Sequence, residues 1–174
     1  SQIQEKFLLY AGRISNEKGL QELIDSFCNV APEDFLLKII GTGPMFSSLK
    51  NQSYEKIEFL GSLPNQEVIN LISNAKGVVT ATKLLEGQPT LLCEASSLGI
   101  PSIFPRTGGL TEFFPKNYKF SYKQFDYSDL EQKLKLIMLS DDSYLEGNES
   151  KTFINKLLDD KLLISKFEEI LNDI

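Results

Sequence analysis

The sequence predicts an α/β fold: a Rossmann-like, doubly wound parallel sheet of about six strands with helices on both faces. Short apolar runs alternate along the chain with segments of helical periodicity, a pattern typical of a parallel sheet covered by helices. The chain has 174 residues, 41% hydrophobic and 24% charged, as expected of one globular domain with its own core. Because no linker, repeat or low-complexity segment divides it, we expect residues 1–174 to form a single domain.

Six apolar runs predict the strands, at residues 7–11, 35–40, 57–60, 77–80, 101–104 and, more weakly, 118–121. Apolar residues at helical spacing predict helices between them, at residues 16–28, 65–74 and 90–98. Pro44 suits the first turn of a further helix, Gly99 suits a helix C-terminus, and Gly108 opens a short turn or helix. The remainder is predicted to be helical, with core-facing apolar stripes near residues 130–138 and 161–174.

The composition excludes several classes of site. The chain has no histidine and only two cysteines, Cys28 and Cys93, so neither a disulfide framework nor a Cys/His metal site is expected. Catalytic mechanisms that need a histidine base are excluded for these residues. Both cysteines lie in apolar or amphipathic segments, which predicts buried, reduced thiols.

The charge distribution argues against nucleic acid as a partner. Residues 141–174 hold nine acids against four lysines, and the other 140 residues are close to neutral within a net charge of -6. No basic stripe with interleaved aromatic residues occurs, although a local basic pocket for phosphate remains possible. No apolar run approaches the roughly 20 residues that span a bilayer, and the start does not resemble a signal peptide.

The loop after the first predicted strand carries two cations, Arg13 and Lys18, within the segment that begins at Gly12 and ends at Gly19. Ligands of doubly wound folds bind beyond the carboxyl ends of the strands, where strand order reverses. Two cations beside the free N–H groups of a helix start are able to converge on a diphosphate. The alternative is that both side chains are solvated on a surface loop.

A second motif pairs two carboxylates, Glu86 at the end of a loop and Glu94 inside the next predicted helix. Apolar neighbours flank Glu94, and a charge is expensive to bury without a partner. The hydroxyls of a ribose would supply one, while residues 87–90 offer backbone N–H groups at a helix start. The alternative is one acid on a loop and one on a helix surface.

A third motif, Gly41-Thr-Gly43-Pro44, follows the second predicted strand. It is similar to the start of a dinucleotide-binding G-x-G-x-x-G, but Phe46 stands at the third glycine position. The alternative is a tight turn into a helix.

Taken together, these motifs resemble the C-terminal, donor-binding half of GT-B glycosyltransferases of family four. The resemblance covers residues 7 to about 115 in the family's order and spacing. It rests on GRISNEKGLQELIDSF, KIIGTGP, IEFLGSLPNQEVINLISNA, EGQPTLLCEASSLGIPSI (the E-x7-E signature) and TGGLTEFF. Ala81-Thr82 replaces a frequent Pro-Ser, and Gln88 stands where an aromatic residue is common, which leaves the sugar open.

The resemblance implies roles for individual residues. Arg13 and Lys18 would hold the donor diphosphate, Glu86 the transferred sugar, and Glu94 the ribose hydroxyls. The base would lie against the segment from Leu60 to Leu63, through main-chain contacts. The remaining donor-binding positions would be mainly backbone contacts, at Gly12, Gly43, Gly87, Gln88, Pro89 and Thr90.

The implied reaction is retaining hexosyl transfer from a nucleoside diphosphate sugar to a glycan or glycolipid acceptor. Neither a metal nor another cofactor is expected, since two cations would stabilise the leaving group. The acceptor domain, N-terminal in the family, is absent from this chain, so the isolated domain is expected to be inactive. The family suggests polysaccharide or glycolipid assembly in the cytoplasm, at most with peripheral association at the inner face of the membrane.

Two other functions compete with transfer. A GT-B epimerase or hydrolase would share the fold, but the GR…EKG context of Arg13 and Lys18 argues against it. A non-enzymatic dinucleotide-binding module would use Gly41 and Gly43, but its motif is incomplete. A glycosidase-type nucleophile at Glu86 would need a paired acid that is missing.

Overall fold

The computed structural model describes residues 5–87 and 89–159. Its strands are β1 Lys6–Ala11, β2 Phe35–Ile40, β3 Ile57–Gly61, β4 Gly77–Val79, β5 Ser102–Arg106 and β6 Ser121–Lys123. Its α-helices are α1 Leu20–Val30, α2 Phe46–Lys50, α3 Asn65–Asn74, α4 Thr90–Ser97, α5 Tyr127–Leu139 and α6 Ser143–Leu157. Short 3-10 helices occupy Asn16–Lys18 and Leu110–Phe113.

The strands form one sheet in the order β3-β2-β1-β4-β5-β6, and every pairing between neighbours is parallel. The chain runs outward from β1 to β3 and then returns to the other side of β1 to continue with β4. The strand order therefore reverses between β1 and β4, and the predicted α/β fold is confirmed. In such folds the carboxyl edge at the reversal point is where ligands bind.

Both faces of the sheet are covered. Leu8 and Leu9 are adjacent in β1, so their side chains point to opposite faces, and both are fully buried. The helices pack in two groups: α1 contacts α5, whereas α4 contacts α3 and α6. The buried stripe of α1, from Leu20 to Phe27, has the spacing of a helix that packs one face on the core.

The structure corrects two sequence predictions. The helix predicted over residues 16–28 is two elements, because Gly19 adopts a left-handed conformation (φ 69°) between the 3-10 turn and α1. The last strand lies at Ser121–Lys123 rather than 118–121. Helix α6 lies in the region predicted to be helical, and it buries mostly small or polar residues such as Ser143, Gly147 and Ser150. The predicted helix 161–174 lies outside the described residues.

The burial predicted for the two cysteines is also wrong. Cys28 is exposed, because it follows Phe27 by one position and so faces away from the buried stripe of α1. Cys93 is only half-buried, on the side of α4 that faces α3. In the described part of the chain, no helix combines the length and apolar character needed to cross a bilayer.

Candidate functional site

A cavity of about 180 Å³ opens at the carboxyl edge of the sheet, where the strand order reverses. Tyr10 and Gly12 line it from the end of β1, Thr80 and Thr82 from the end of β4, and Pro89 from the start of α4. Its position follows from the topology, because β1 and β4 are adjacent but lead to different helices: α1 packs with α5, and α4 packs with α3 and α6.

Close backbone packing holds the loop after β1 in place. A Cβ added at Gly43 would lie 2.3 Å from the carbonyl oxygen of Ile14, so the turn after β2 packs directly on that loop. The Ile14 N–H donates to the Thr42 carbonyl (2.9 Å), and the Met45 N–H donates to the Ile14 carbonyl (3.1 Å). Gly43 therefore supports the loop that carries Gly12. This arrangement agrees with the alternative interpretation of the Gly41-Thr-Gly43-Pro44 motif as a tight turn into a helix.

Lys18 and Glu86 meet inside the cavity. The Lys18 ammonium donates to Glu86 Oε1 (2.5 Å), and the Thr82 hydroxyl donates to the same oxygen (2.9 Å). The two charged side chains are 29% and 25% exposed, and Thr82 is buried. Burial alone would raise the pKa of the Glu86 carboxyl, but the bonds from Lys18 and Thr82 and the Lys18 charge outweigh it and lower that pKa. Glu86 is therefore a carboxylate at neutral pH.

Tyr10 forms the floor of the cavity next to this pair. Its hydroxyl donates to the Arg13 carbonyl (2.8 Å), which ties the loop after β1 to the strand. Burial, together with the charges of Glu86 and Glu17, raises the pKa of the Tyr10 hydroxyl. The group stays protonated and keeps its role as a donor.

The first turn of α4 also contributes to the wall of the cavity. Thr90, Leu91 and Leu92 all line the cavity, and the first intrahelical bond runs from the Cys93 N–H to the Pro89 carbonyl (2.9 Å). The N–H groups of a helix's first turn have no acceptor within the helix, and the helix dipole favours an anion there. Such a helix start in a cavity that also holds an ammonium group is suited to a phosphate.

Glu94 lies one turn further along α4, in an adjoining groove of about 310 Å³ between α3 and α4. Thr90 lines both spaces, so the groove and the cavity meet at the start of α4. Ile69, Cys93 and Leu98 complete the groove's walls. Glu94 is half-buried despite its apolar sequence neighbours, because Leu92 and Ala95 are buried in the core whereas Glu94 and Cys93 line the groove.

The other predicted site residues lie in different surroundings. The Arg13 side chain is 62% exposed, and its Nε lies 3.9 Å from Glu17 Oε1, so it does not reach into the cavity. Leu63 is half-buried and packs against the core, and Gly87 is exposed. Gln88 lies outside the described residues. The structure thus brings Lys18, Glu86, Gly12, Pro89 and Thr90 together, with Glu94 in the adjoining groove.

Sequence reasoning missed Tyr10 and Thr82. Both stand at or just after the carboxyl end of a strand next to the reversal point, which is a signal that the sequence does contain. Their polar contacts, to the Arg13 carbonyl and to Glu86, depend on positions that only the tertiary structure shows.

Comparison with known proteins matches residues 2–156 to the glycosyl transferases group 1 family. Among curated relatives, the chain is 27% identical over 115 residues to a putative teichuronic acid biosynthesis glycosyltransferase of Bacillus subtilis, covering 66% of this chain and 28% of that protein. It is 28% identical over 114 residues to the N-acetyl-alpha-D-glucosaminyl L-malate synthase of Bacillus anthracis, covering 62% and 29%. The chain therefore spans less than a third of these relatives' length.

Solved glycosyltransferase structures share the fold. Anabaena HepE in complex with UDP superposes with a TM-score of 0.81 at 16% identity, over 98% of this chain and 50% of that chain. The catalytic domain of cholesterol-alpha-glucosyltransferase from Helicobacter pylori gives a TM-score of 0.74 at 20% identity, over 89% and 98%. At such identities the likeness concerns the fold, which agrees with the Rossmann-like sheet described above. With a family match over most of its length, the chain belongs to the glycosyl transferases group 1 family.

Proposed function

We propose that this chain binds the nucleoside diphosphate sugar donor of a retaining hexosyltransferase and forms the C-terminal half of its GT-B fold. The observation that carries the proposal is the cavity at the β1/β4 reversal. There, an ammonium group, a carboxylate and the first turn of a helix face one another. Family membership supplies the reaction class, and the cavity supplies groups suited to a diphosphate joined to a polyhydroxylated ring.

Lys18 and the first-turn N–H groups of α4 are the proposed diphosphate ligands. Both line the same cavity, and the diphosphate would lie between them. Arg13 would complete the cation pair by turning inward from its exposed position beside Glu17. Gly12 and Gly43 would allow close backbone approach, the first directly and the second by holding the loop.

The remaining donor parts have candidate partners around this centre. Glu86, ionised and deep in the cavity, would accept hydrogen bonds from the sugar hydroxyls, beside backbone groups of residues 87–90. Glu94 would accept from the two ribose hydroxyls in the adjoining groove. The base would then lie against the segment from Leu60 to Leu63, which runs from the end of β3 towards α3.

Transfer is limited by departure of the diphosphate, which gains negative charge as the bond to the sugar breaks. Donors that are already in place where this charge develops lower the barrier, because no reorganisation is needed during the reaction. One such donor is worth about 3–4 kcal/mol in comparable oxyanion sites. Lys18 and the α4 N–H groups would fill this role, and we expect neither a metal nor another cofactor.

The acceptor is the second proposed partner. The chain spans about half of several solved glycosyltransferases with the same fold, so the acceptor-binding surface would lie mostly in an N-terminal domain outside these 174 residues. We propose a glycan or glycolipid acceptor and a cytoplasmic enzyme, at most peripherally attached to the membrane.

Cys93 offers a direct test, because it lines the same groove as Glu94. The chain contains one other cysteine, Cys28, which is exposed on α1 away from the site and serves as an internal control. Alkylation of each thiol by N-ethylmaleimide would be followed by peptide mass spectrometry, with and without UDP, GDP, ADP or NAD. We expect at least one nucleoside diphosphate to slow alkylation of Cys93 several-fold without changing Cys28.

Two results would contradict the donor-site assignment. The first is alkylation of Cys93 at an unchanged rate under all three diphosphates at millimolar concentration. The second is protection by NAD alone, which would favour the dinucleotide-binding alternative. A thermal-shift series with the same four ligands checks that protection accompanies binding to the folded chain.

A further inference from the structure

The cation proposed to bind the diphosphate, Lys18, forms an ion pair with Glu86 in the cavity. Lys18 donates to Glu86 Oε1 at 2.5 Å, and among the described residues that line the cavity it is the one cation. The Thr82 hydroxyl holds the same Glu86 oxygen at 2.9 Å, while the Leu84 N–H donates to the Thr82 oxygen at 3.2 Å. The carboxylate is therefore fixed in place to receive Lys18.

A diphosphate that binds in this cavity competes with Glu86 for the Lys18 charge. The ammonium group has three N–H donors, but a shared or withdrawn Lys18 compensates the Glu86 carboxylate less well, and that carboxylate then lies close to a second anion while keeping its bond from Thr82. The Glu86 carboxylate and the diphosphate are both negative, and in a partly buried site they repel each other because solvent screens them poorly. A carboxylate left without a partner also loses the benefit of a charged hydrogen bond.

The intact donor and the spent nucleotide differ in how they relieve this penalty. A nucleoside diphosphate hexose brings hydroxyl groups that donate to the freed carboxylate, so the bond lost from Lys18 is replaced. A bare nucleoside diphosphate brings no donor at that place. It binds against an uncompensated carboxylate.

We propose that Glu86 is a specificity-determining residue: it competes with the diphosphate for Lys18 and so favours the intact sugar donor over the free nucleoside diphosphate. This inference rests on the proposed function. Thr82 is a positioning residue, since its hydroxyl holds the Glu86 carboxylate within reach of Lys18. After transfer, re-formation of the Lys18–Glu86 pair weakens the hold on the nucleotide product and promotes its release.

The test compares bare and sugar-bearing nucleotides on the 174-residue chain. Calorimetry would give Kd values for UDP and UDP-glucose, GDP and GDP-mannose, and ADP and ADP-glucose, using the pair that the native chain binds. Glu86→Gln keeps the shape but removes the charge that competes for Lys18. We expect it to bind the bare diphosphate roughly tenfold more tightly, the effect of about one charged hydrogen bond, and the sugar nucleotide no more tightly than before.

The matched control is Glu33→Gln. Glu33 forms an ion pair with Lys56 (3.0 Å) on the surface, where its side chain is 95% exposed. Its substitution removes the same unit of charge, and the residue lies before β2 at the opposite edge of the sheet. The substitution should change neither Kd. Circular dichroism of both variants verifies that they are folded.

The outcomes separate the two hypotheses. If the native chain binds none of the six nucleotides, the proposed function is wrong and this inference falls with it. If the native chain binds them but Glu86→Gln leaves the bare diphosphate unchanged or weakens it, the competition for Lys18 is refuted while the donor site stands. Tighter binding of the bare diphosphate in Glu86→Gln alone, with the sugar nucleotide unimproved, supports the inference.

Discussion

At the residue scale, the site depends on a few charges placed where water is partly excluded. Lys18 and Glu86 are each about one quarter exposed, so their interaction is stronger than that of a surface pair but still screened. Arg13, at 62% exposed, begins from a more solvated position. These differences in exposure lead to different expected effects of substitution.

Lys18→Met should weaken binding of UDP, GDP or ADP by roughly 10- to 100-fold, the range of one charged hydrogen bond. Arg13→Met should weaken it less, because the native arginine must leave solvent and its contact with Glu17 to reach the ligand. The corresponding nucleosides should bind equally well to all three proteins, since they carry no phosphate. Calorimetry with both ligands measures this, and equal losses for nucleoside and diphosphate would speak against the phosphate role.

Glu94→Gln should lower ribonucleotide affinity by about 1.5–3 kcal/mol, the range for hydrogen bonds to a charged group. The 2'-deoxy nucleotide should bind the native chain poorly and lose less upon substitution, since it lacks one of the two hydroxyls. The measurement is a comparison of four Kd values. Equal binding of ribo and deoxy forms by the native chain would mean that Glu94 does not recognise ribose.

At the element scale, the break between the 3-10 turn and α1 positions Lys18. Gly19 lies at the break between the two helical segments. Its φ is 69°, and a Cβ there would lie 2.0 Å from the Ala81 carbonyl oxygen. The start of α1 therefore packs directly on the loop that follows β4. A continuous helix through residue 19 would carry Lys18 away from this contact and from Glu86.

Gly19→Ala should destabilise the fold by more than about 2 kcal/mol, combining left-handed strain of about 1 kcal/mol with a clash against backbone that is unable to yield. Gly61→Ala is the matched control, because Gly61 has the same φ of 69° but no atom within 4 Å of the added Cβ. It should cost only the strain. Urea unfolding of both variants gives the comparison, and similar losses would show that packing on Ala81 contributes little.

At the scale of the whole molecule, the sheet topology determines where the candidate site lies. The order β3-β2-β1-β4-β5-β6 opens the cavity between β1 and β4, and the helices on both faces hold its walls. This chain supplies the walls of the cavity in which we propose that the donor binds. An acceptor needs a second surface opposite the sugar.

We predict that the 174-residue chain binds a nucleoside diphosphate but transfers no sugar to an acceptor. The reason is that reacting groups need to be held together, and that positioning is worth several kcal/mol in bimolecular transfer. Incubation with radiolabelled sugar nucleotides and a panel of glycan and glycolipid acceptors would detect turnover. Robust transfer by this chain alone would refute the expectation that the acceptor site lies elsewhere.

The sequence by itself determined the fold class and most of its elements. Buried strands appear as apolar runs whatever their neighbours are, so β2 and α3 lie where the pattern predicted them. The motifs that follow the strands also identified Lys18 and Glu86 as members of one candidate site, because the carboxyl ends of parallel strands share one edge.

Only the tertiary structure decided how those residues meet. Residues 18 and 86 are 68 positions apart. Their ion pair, and the hydrogen bond from the Thr82 hydroxyl to Glu86, arise from packing of α1 on the loop after β4, which no local pattern encodes. The same applies to side-chain exposure. The apolar neighbours of Glu94 predicted a buried carboxylate, whereas the orientation of α4 directs Glu94 to the groove between α3 and α4. Periodicity reports which residues prefer the core, but the direction of a polar side chain depends on contacts between elements distant in sequence.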